Sequence, residues 1–177
     1  MSEFADAGNV RKIDDIRQAR ETRFWRGGCV PAHFTGCENY AEVVISARSQ
    51  NESFARTCAA SFVASLDPTL DVISDIKTAV SEAVTNCIVH GYNGADGGYI
   101  KLHMAVFHGK TVKIVVEDFG CGIKDVTLAR QPLFTTKPEI DRSGMGFTIM
   151  ENFMDELIVQ SAEGEGTRVT MVKKVKD

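Results

Sequence analysis

The chain has 177 residues, a length that fits one domain with a sizeable hydrophobic core. It is 44% hydrophobic and 25% charged with a formal net charge of −4, which is typical of a soluble globular protein and argues against a general nucleic-acid binder. No apolar run approaches the ~20 residues that span a bilayer, and the N-terminus lacks the apolar core of a secretion signal. The 5 scattered cysteines contain no CxxC pair, so we expect reduced thiols and a cytoplasmic protein.

The N-terminal part of the chain differs from the rest. It is polar, it contains a basic patch with the only tryptophan (RQARETRFWRGG), and it shows no sustained period beyond a possible short helix at 10–20. So short a segment cannot build a core of its own. We therefore predict that residues 1–36 form a loosely attached extension and that residues 37–177 form the folded domain.

The patterns become clearer from residue 40 onward. AEVVISA predicts a strand, and SQNESFARTCAASFVASL predicts a helix whose apolar residues stand four apart: Phe54, Cys58, Phe62 and Leu66. A second helix is predicted over about 69–90, with Asp67 as its N-cap carboxylate and Pro68 in its first turn. We expect the apolar face of this second helix to consist of Leu70, Ile73, Ile76, Val80, Val84 and Cys87.

The second helix also carries a narrow polar stripe. At ~100° per residue, one sector away from the apolar face holds Asp75, Glu82, Asn86 and His90. A solvated face and a ligand-facing stripe both remain open, although a solvated face more often carries lysine. If the stripe faces a ligand, the Asn86 amide oxygen suits Mg²⁺, and Glu82 one turn earlier suits a proton acceptor near a terminal phosphate.

The remaining elements complete a two-layer arrangement. YIKLHMAVF and TVKIVVEDF predict a hairpin, and residues 124–143 predict a long loop. GMGFTIMENFM predicts a helix that opens on Gly144, and ELIVQSA with TRVTMVKKV predicts a second hairpin. The predicted order is β-α-α-β-β-loop-α-β-β. We therefore predict an α+β sandwich in which helices cover one face of a mostly antiparallel sheet.

Three further segments have residue types that suit nucleotide binding. In EDFGCGI, Asp118 can accept a hydrogen bond from an amino-substituted ring, while Gly120 and Gly122 allow that ring to approach the backbone. An ordinary β-turn would give the same pattern. In RSGMGFTIM, Gly144 and Gly146 open a helix and offer bare N–H groups to an anion. The loop ARQPLFTTKPEIDRS is long for a passive connection, and three of its residues could close over phosphates: Thr135, Thr136 and Lys137.

Taken together, the strings EAVTN-HGY, DFGCG and GMG resemble the N, G1 and G2 boxes of the GHKL (Bergerat-fold) ATPase superfamily. From about Cys37 to the end, SQNESFAR, ARQPLFTTKPE and RSGMGFTIMENFMDE resemble more closely the anti-sigma F factors of endospore-forming bacteria. The resemblance implies a Bergerat-type sandwich and a serine-protein kinase that uses ATP and Mg²⁺. It also implies a homodimer that sequesters sigma factor F and phosphorylates an anti-anti-sigma factor.

The resemblance assigns roles to individual residues. It implies that Glu82 is the general base, that Asn86 holds Mg²⁺, and that Asp118 binds the adenine amino group. Arg56 matches a position that contacts partner proteins. The resemblance also implies that further residues bind the nucleotide: Gly120, Gly122, Thr135, Thr136, Lys137, Arg142, Gly144 and Gly146. Two alternatives stay open: a general-stress anti-sigma kinase with another sigma partner, and a binding module in which ATP only sets the conformation.

Overall fold

A computed structural model describes residues 31–95, 97–135 and 144–175. Within these ranges a short 3-10 helix, Ala32–Phe34, precedes strand β1, Asn39–Ser46, and helices α1, Gln50–Ala64, and α2, Leu70–Asn86. A π-helical turn, Cys87–Gly91, extends α2, and β2, Tyr99–Phe107, and β3, Thr111–Asp118, follow. The chain continues with α3, Val126–Ala129, α4, Gly146–Phe153, β4, Glu156–Ala162, and β5, Gly166–Lys174.

The five strands form one sheet in the order β1-β2-β3-β5-β4, and every neighbouring pair is antiparallel. The predicted α+β sandwich is therefore confirmed, with a wholly antiparallel sheet in the described part of the chain. The pairing sets Asp118 at the end of β3 opposite Thr167 at the start of β5. This register brings the acid-glycine turn beside the second hairpin, which sequence spacing alone does not specify.

The core lies between the sheet and helices α1, α2 and α4. The sheet contributes alternate residues, which include Ile100, Leu102, Met104, Ile114, Val116 and Met171. The helices contribute Ala55, Ala59, Val63, Ile76, Val80, Val84 and Met150. Among the described residues, no helix has both the length and the apolar character needed to cross a membrane.

The predicted apolar face of α1 is partly wrong. The helix buries Ala55, Ala59 and Val63 completely, whereas Phe54 is 53% exposed. Cys58, Phe62 and Leu66 are only partly buried beside the core. Small side chains face the core because α1 packs closely against α2, and a spacing rule that looks for large apolar residues overlooks alanine.

The predicted ends of α2 also need correction. Thr69 is the N-cap, since its hydroxyl accepts a hydrogen bond from the Val72 N–H at 3.4 Å, whereas Asp67 has a φ of 54° and lies outside the helix. Leu70, at the first helical position, is 83% exposed and so does not belong to the buried face. At the other end, regular α geometry stops at Asn86, and residues up to Gly91 form the wider π-helical turn.

The face of the sheet that points away from the helices, here called the outer face, is covered at its centre by Phe34. This side chain is completely buried and packs in a cluster with Ala105 and Val115. Its ring centroid lies 5.1 Å from that of Tyr40, and the Lys113 ammonium lies 5.4 Å from the Phe34 ring centroid. Residues 31–36, the end of the predicted extension, thus contact the sheet; the predicted helix at 10–20 lies outside the described residues.

Candidate nucleotide site

A cavity of about 650 Å³ lies between α2, the turn that follows β3, and α4. Its volume is in the ordinary range of small-molecule sites, ~300–1,000 Å³. Seven residues singled out from the sequence line it: Asn86, His90, Asp118, Gly122, Thr135, Gly144 and Gly146. The N-box, the acid-glycine turn and the Gly-x-Gly segment are therefore neighbours in space.

Asp118 is buried at the floor of this cavity and is held by several donors. Its Oδ1 accepts the Gly120 N–H at 2.9 Å, and the Cys87 thiol and the Thr167 N–H also donate to the carboxylate. Burial raises the pKa of Asp118, and the negative charge of Glu117 acts in the same direction, while the three donors oppose the shift. An ionised carboxylate in this position can accept a hydrogen bond from an amino group inside the cavity.

The π-helical turn fixes the backbone on the other side of Asp118. The Gly91 carbonyl accepts the Cys121 N–H at 2.8 Å, which ties the end of the turn to the acid-glycine segment. A Cβ at Gly120 would overlap that same carbonyl, and a Cβ at Gly91 would come within 2.9 Å of the Asp118 carboxylate. Two chain segments thus approach so closely that only glycine fits at either position.

Glu82 and Asn86 meet at the first residue of α4. A Cβ at Gly146 would stand 3.1 Å from Asn86 Nδ2, 3.2 Å from Asn86 Oδ1 and 3.2 Å from Glu82 Oε2. These two side chains, one helical turn apart, therefore lie side by side against the N-terminus of α4. Asn86 lines the cavity, whereas Glu82 is placed beside it at the rim.

The loop that was predicted to close over phosphates is described only in part. Thr135 lines the cavity, and Gly144, with a φ of 54°, is buried against the backbone of Leu133. An ion pair between Arg130 and Glu151, with Nη2 and Oε1 2.6 Å apart, ties the two flanks of the loop together. Thr136, Lys137 and Arg142 lie outside the described residues, so their assignments stay predictions.

Two of the residues singled out from the sequence lie away from the cavity. Asp75, the first member of the predicted polar stripe, accepts a hydrogen bond from Lys173 Nζ at 3.0 Å, and the same ammonium donates to the Phe153 carbonyl at 2.6 Å. Asp75 thus joins α2 to β5, and within the stripe Asn86 and His90 line the cavity, with Glu82 beside Asn86. Arg56 lies on α1 with 41% of its side chain exposed and its Nη1 3.6 Å from Glu52 Oε1.

Several residues of the cavity were missed by the sequence reasoning. Cys87 and Thr167 donate hydrogen bonds to Asp118, Lys124 lines the cavity, and Phe147, Ile123 and Leu128 form apolar walls. Thr167 becomes visible only through the pairing of β3 with β5. Lys124 follows Gly122 by two residues, so its proximity to the acid-glycine turn was the available signal.

The geometry joins three chemical capacities in one place. A buried carboxylate between apolar walls can bind a flat heterocycle with an amino group, and the N-terminus of α4 can bind an anion through the N–H groups of its first turn. At the rim, Glu82 and Asn86 offer a proton acceptor and a hard oxygen ligand. In the described part of the chain, no group of three or more His, Cys, Asp or Glu side chains is arranged to hold a metal.

Comparison with known proteins yields a consistent picture. The family model of the histidine kinase-like ATPase domain matches residues 45–173. The anti-sigma F factor of Clostridium novyi (strain NT) is 53% identical over 138 residues, which are 78% of this chain and 96% of that protein. The anti-sigma F factor of Geobacillus kaustophilus (strain HTA426) is 56% identical over 137 residues, 77% of this chain and 93% of that protein.

Among solved structures, the RsbU and RsbW domains of a Mycobacterium tuberculosis protein superpose with a TM-score of 0.55 at 19% sequence identity. The match covers 77% of this chain and 32% of that one. At this level of identity the likeness concerns the fold alone. It agrees with the antiparallel sheet and helical layer described above.

Proposed function

Because this chain belongs to the anti-sigma F factor family and contains a histidine kinase-like ATPase domain, we propose that it is an ATP-dependent serine-protein kinase that also sequesters a sigma factor. The sigma factor would be sigma F, and the kinase substrate a serine of an anti-anti-sigma factor. The protein would act in the cytoplasm as a homodimer. Arg56 on α1 would contact these protein partners and so contribute to their recognition.

One observation carries the catalytic part of the proposal. The Glu82 carboxylate and the Asn86 amide lie together at Gly146, at the rim of the cavity whose floor holds Asp118. An adenine amino group bound at Asp118 would leave the phosphates to extend along the N-terminus of α4 toward Glu82 and Asn86. A protein that only binds nucleotide needs the floor of this cavity, but it does not need a proton acceptor at the rim.

The chemical step follows from this placement. As the serine oxygen of the partner bonds to the γ-phosphorus, the bond from that phosphorus to the oxygen bridging to the β-phosphate breaks, and ADP leaves. Glu82 accepts the proton of the serine hydroxyl, so the attacking oxygen does not keep a positive charge. The protein contributes by positioning the groups and by the N–H groups of α4, which face the developing negative charge.

The residues present fit a magnesium ion as the cofactor. Asn86 offers a neutral hard oxygen, and Mg²⁺ commonly takes few protein ligands because phosphate oxygens and waters complete its shell. When bound, Mg²⁺ would neutralise charge on the phosphates. Asn86 would hold it, and the glycine at 146 leaves room for this amide because a Cβ there would press on it.

The test uses the full chain with ATP, Mg²⁺ and a candidate anti-anti-sigma protein, with phosphoserine on the partner as the readout. For Glu82→Gln we expect unchanged ATP affinity and a fall in transfer of about 10²–10⁴-fold, the range for loss of a general base. For Asp118→Asn we expect nucleotide binding itself to be lost. Glu163→Gln, in the exposed turn between β4 and β5, is the matched control and should change neither.

The outcomes separate the alternatives. Unchanged transfer in Glu82→Gln would refute the assignment of the base. A chain that binds ATP yet transfers no phosphate to the partner would support the binding-module alternative. Equal ATP affinity in the wild type and Asp118→Asn would refute the assignment of the cavity.

A further inference from the structure

The outer face of the sheet is partly covered by the chain segment that leads into β1. Phe34 is completely buried on this face, and three backbone hydrogen bonds fix the turn around it: Phe34 N–H to Pro31, Cys37 N–H to Phe34, and Glu38 N–H to Val106. The Tyr40 hydroxyl, 2.9 Å from His103 Nδ1, closes the polar side of this cluster. Residue 31 is therefore held against the outer face.

A second part of the same face is apolar and open. Val44 is four residues beyond Tyr40 on β1, so strand alternation places both on one side of the sheet. Val44 is 55% exposed and Tyr99, on the neighbouring strand, is 44% exposed. Phe119 extends the patch, since its ring centroid lies 4.9 Å from that of Tyr99. We call Val44, Tyr99 and Phe119 the outer patch.

The residues before Pro31 carry the groups that would fit such a patch. Phe24 and Trp25 are adjacent in the sequence, with Arg20 and Arg23 before them and Arg26 after them. The six Cα-to-Cα steps from Trp25 to Pro31 can span up to about 20 Å. Val44 lies about 13 Å along β1 from Tyr40, which contacts Phe34. The aromatic pair can thus reach the outer patch without displacing Phe34.

Charge along β1 favours the same placement. Glu38 precedes the strand with 56% of its side chain exposed, and Glu42 lies between Tyr40 and Val44 with 33% exposed. Lys101, beside the patch, has its ammonium over the Phe119 ring at 5.6 Å from the ring centroid. Arginines that flank an aromatic pair would therefore find carboxylates along the route from Pro31 to Val44.

We propose that residues 20–30 of this chain dock on the outer face, with Phe24 and Trp25 packed on the outer patch. The extension then serves as an intramolecular cover for this face of the sheet, and the docking continues the contact that Phe34 already makes. This inference does not depend on the kinase activity. It concerns a part of the chain that precedes the matched ATPase domain.

Trp25 is the only tryptophan, so the fluorescence of the full chain reports on this docking directly. We expect Trp25 to be shielded from acrylamide in the native protein and fully quenched in denaturant. Val44→Lys places a cation against the arginines and should raise the native quenching constant at least twofold with a red-shifted emission. Leu70→Lys is the matched control, because Leu70 is equally apolar and 83% exposed but lies on the helical layer, and it should leave the emission unchanged.

Three results would overturn the proposal. Native Trp25 as quenchable as in denaturant would show that the segment does not dock. Shielding that persists in Val44→Lys would place Trp25 elsewhere. Shielding that increases with protein concentration would show that a second copy, and not the chain's own extension, covers the face. Circular dichroism and ATP binding identical to the wild type establish that both variants are folded.

Discussion

Replacing Gly146 by alanine should affect catalysis and stability in different ways, because Gly146 at the start of α4 lies against the side chains of Glu82 and Asn86. In Gly146→Ala the new methyl group would lie 3.1–3.2 Å from Asn86 and Glu82, whereas ordinary van der Waals contacts at Cβ are 3.4–4 Å. Both functional side chains must therefore give way by a few tenths of an ångström. Gly146 is helical and has no positive φ, so alanine introduces no backbone strain at this position.

The expected effects have opposite directions. A displacement of about 1 Å can cost 10²-fold in rate, so a few tenths should lower kcat by about three- to tenfold, or about 0.7–1.4 kcal/mol in the activation barrier. Alanine favours a helix over glycine by up to about 1 kcal/mol, so the free energy of unfolding should stay equal or rise. Urea denaturation and phosphate transfer to the partner protein measure the two quantities on one sample.

The control is Asn152→Ala, an exposed change on the same helix that should leave the rate unchanged. Loss of stability in parallel with loss of rate would refute the reasoning, because it would mean that the methyl group disturbs the packing of α4 as a whole. An unchanged rate would equally refute it, because the positions of Glu82 and Asn86 would then not matter.

Three further predictions concern the cavity floor and the partner surface. Burial raises the pKa of Asp118, so if ATP binds through the ionised carboxylate, as proposed, ATP affinity should fall as the pH is lowered, beginning at a higher pH than for an exposed aspartate. Titration calorimetry from neutral to acidic pH would show this, and an affinity that stays constant until exposed aspartates titrate would contradict it. Arg56→Ala should weaken binding of the partner protein and leave ATP affinity unchanged. The control Lys77→Ala should change neither, and a drop in the ATP affinity of Arg56→Ala would mean that Arg56 is misassigned. Gly120→Ala should lower the free energy of unfolding by about 1–3 kcal/mol and weaken nucleotide binding, because the added methyl group would overlap the Gly91 carbonyl. Urea unfolding that matches that of the wild type would contradict this.

Much of the fold could be predicted because local patterns and long-range structure agree. Alternation defined the strands of both hairpins within a residue or two, and helical spacing located α1 and α2. The errors arose where small residues replace large ones in the core. The spacing argument favoured Phe54, whereas close packing of two helices required alanine at the neighbouring position, Ala55. Such choices depend on the interhelical distance, which a sequence does not specify.

The candidate site was predictable to the extent that its residues belong to contiguous strings. Glu82 and Asn86 stand one turn apart, so their proximity followed from helix geometry. Thr167 could not be found in the same way, since only the register of β3 with β5 brings it to Asp118. Asp75 shares the periodicity of the polar stripe but pairs with Lys173, because the far end of α2 lies over β5 and not over the cavity.

The wide π-helical turn at the end of α2 also limits how this segment can change in length. A π turn holds one residue more than an α turn, and here that residue delivers the Gly91 carbonyl to the amide of Cys121. Deleting one residue between 87 and 91 would restore regular winding and rotate the following backbone by about 100°. The segment should therefore tolerate exchange of side chains far better than any shortening, so homologous sequences should align through it without gaps.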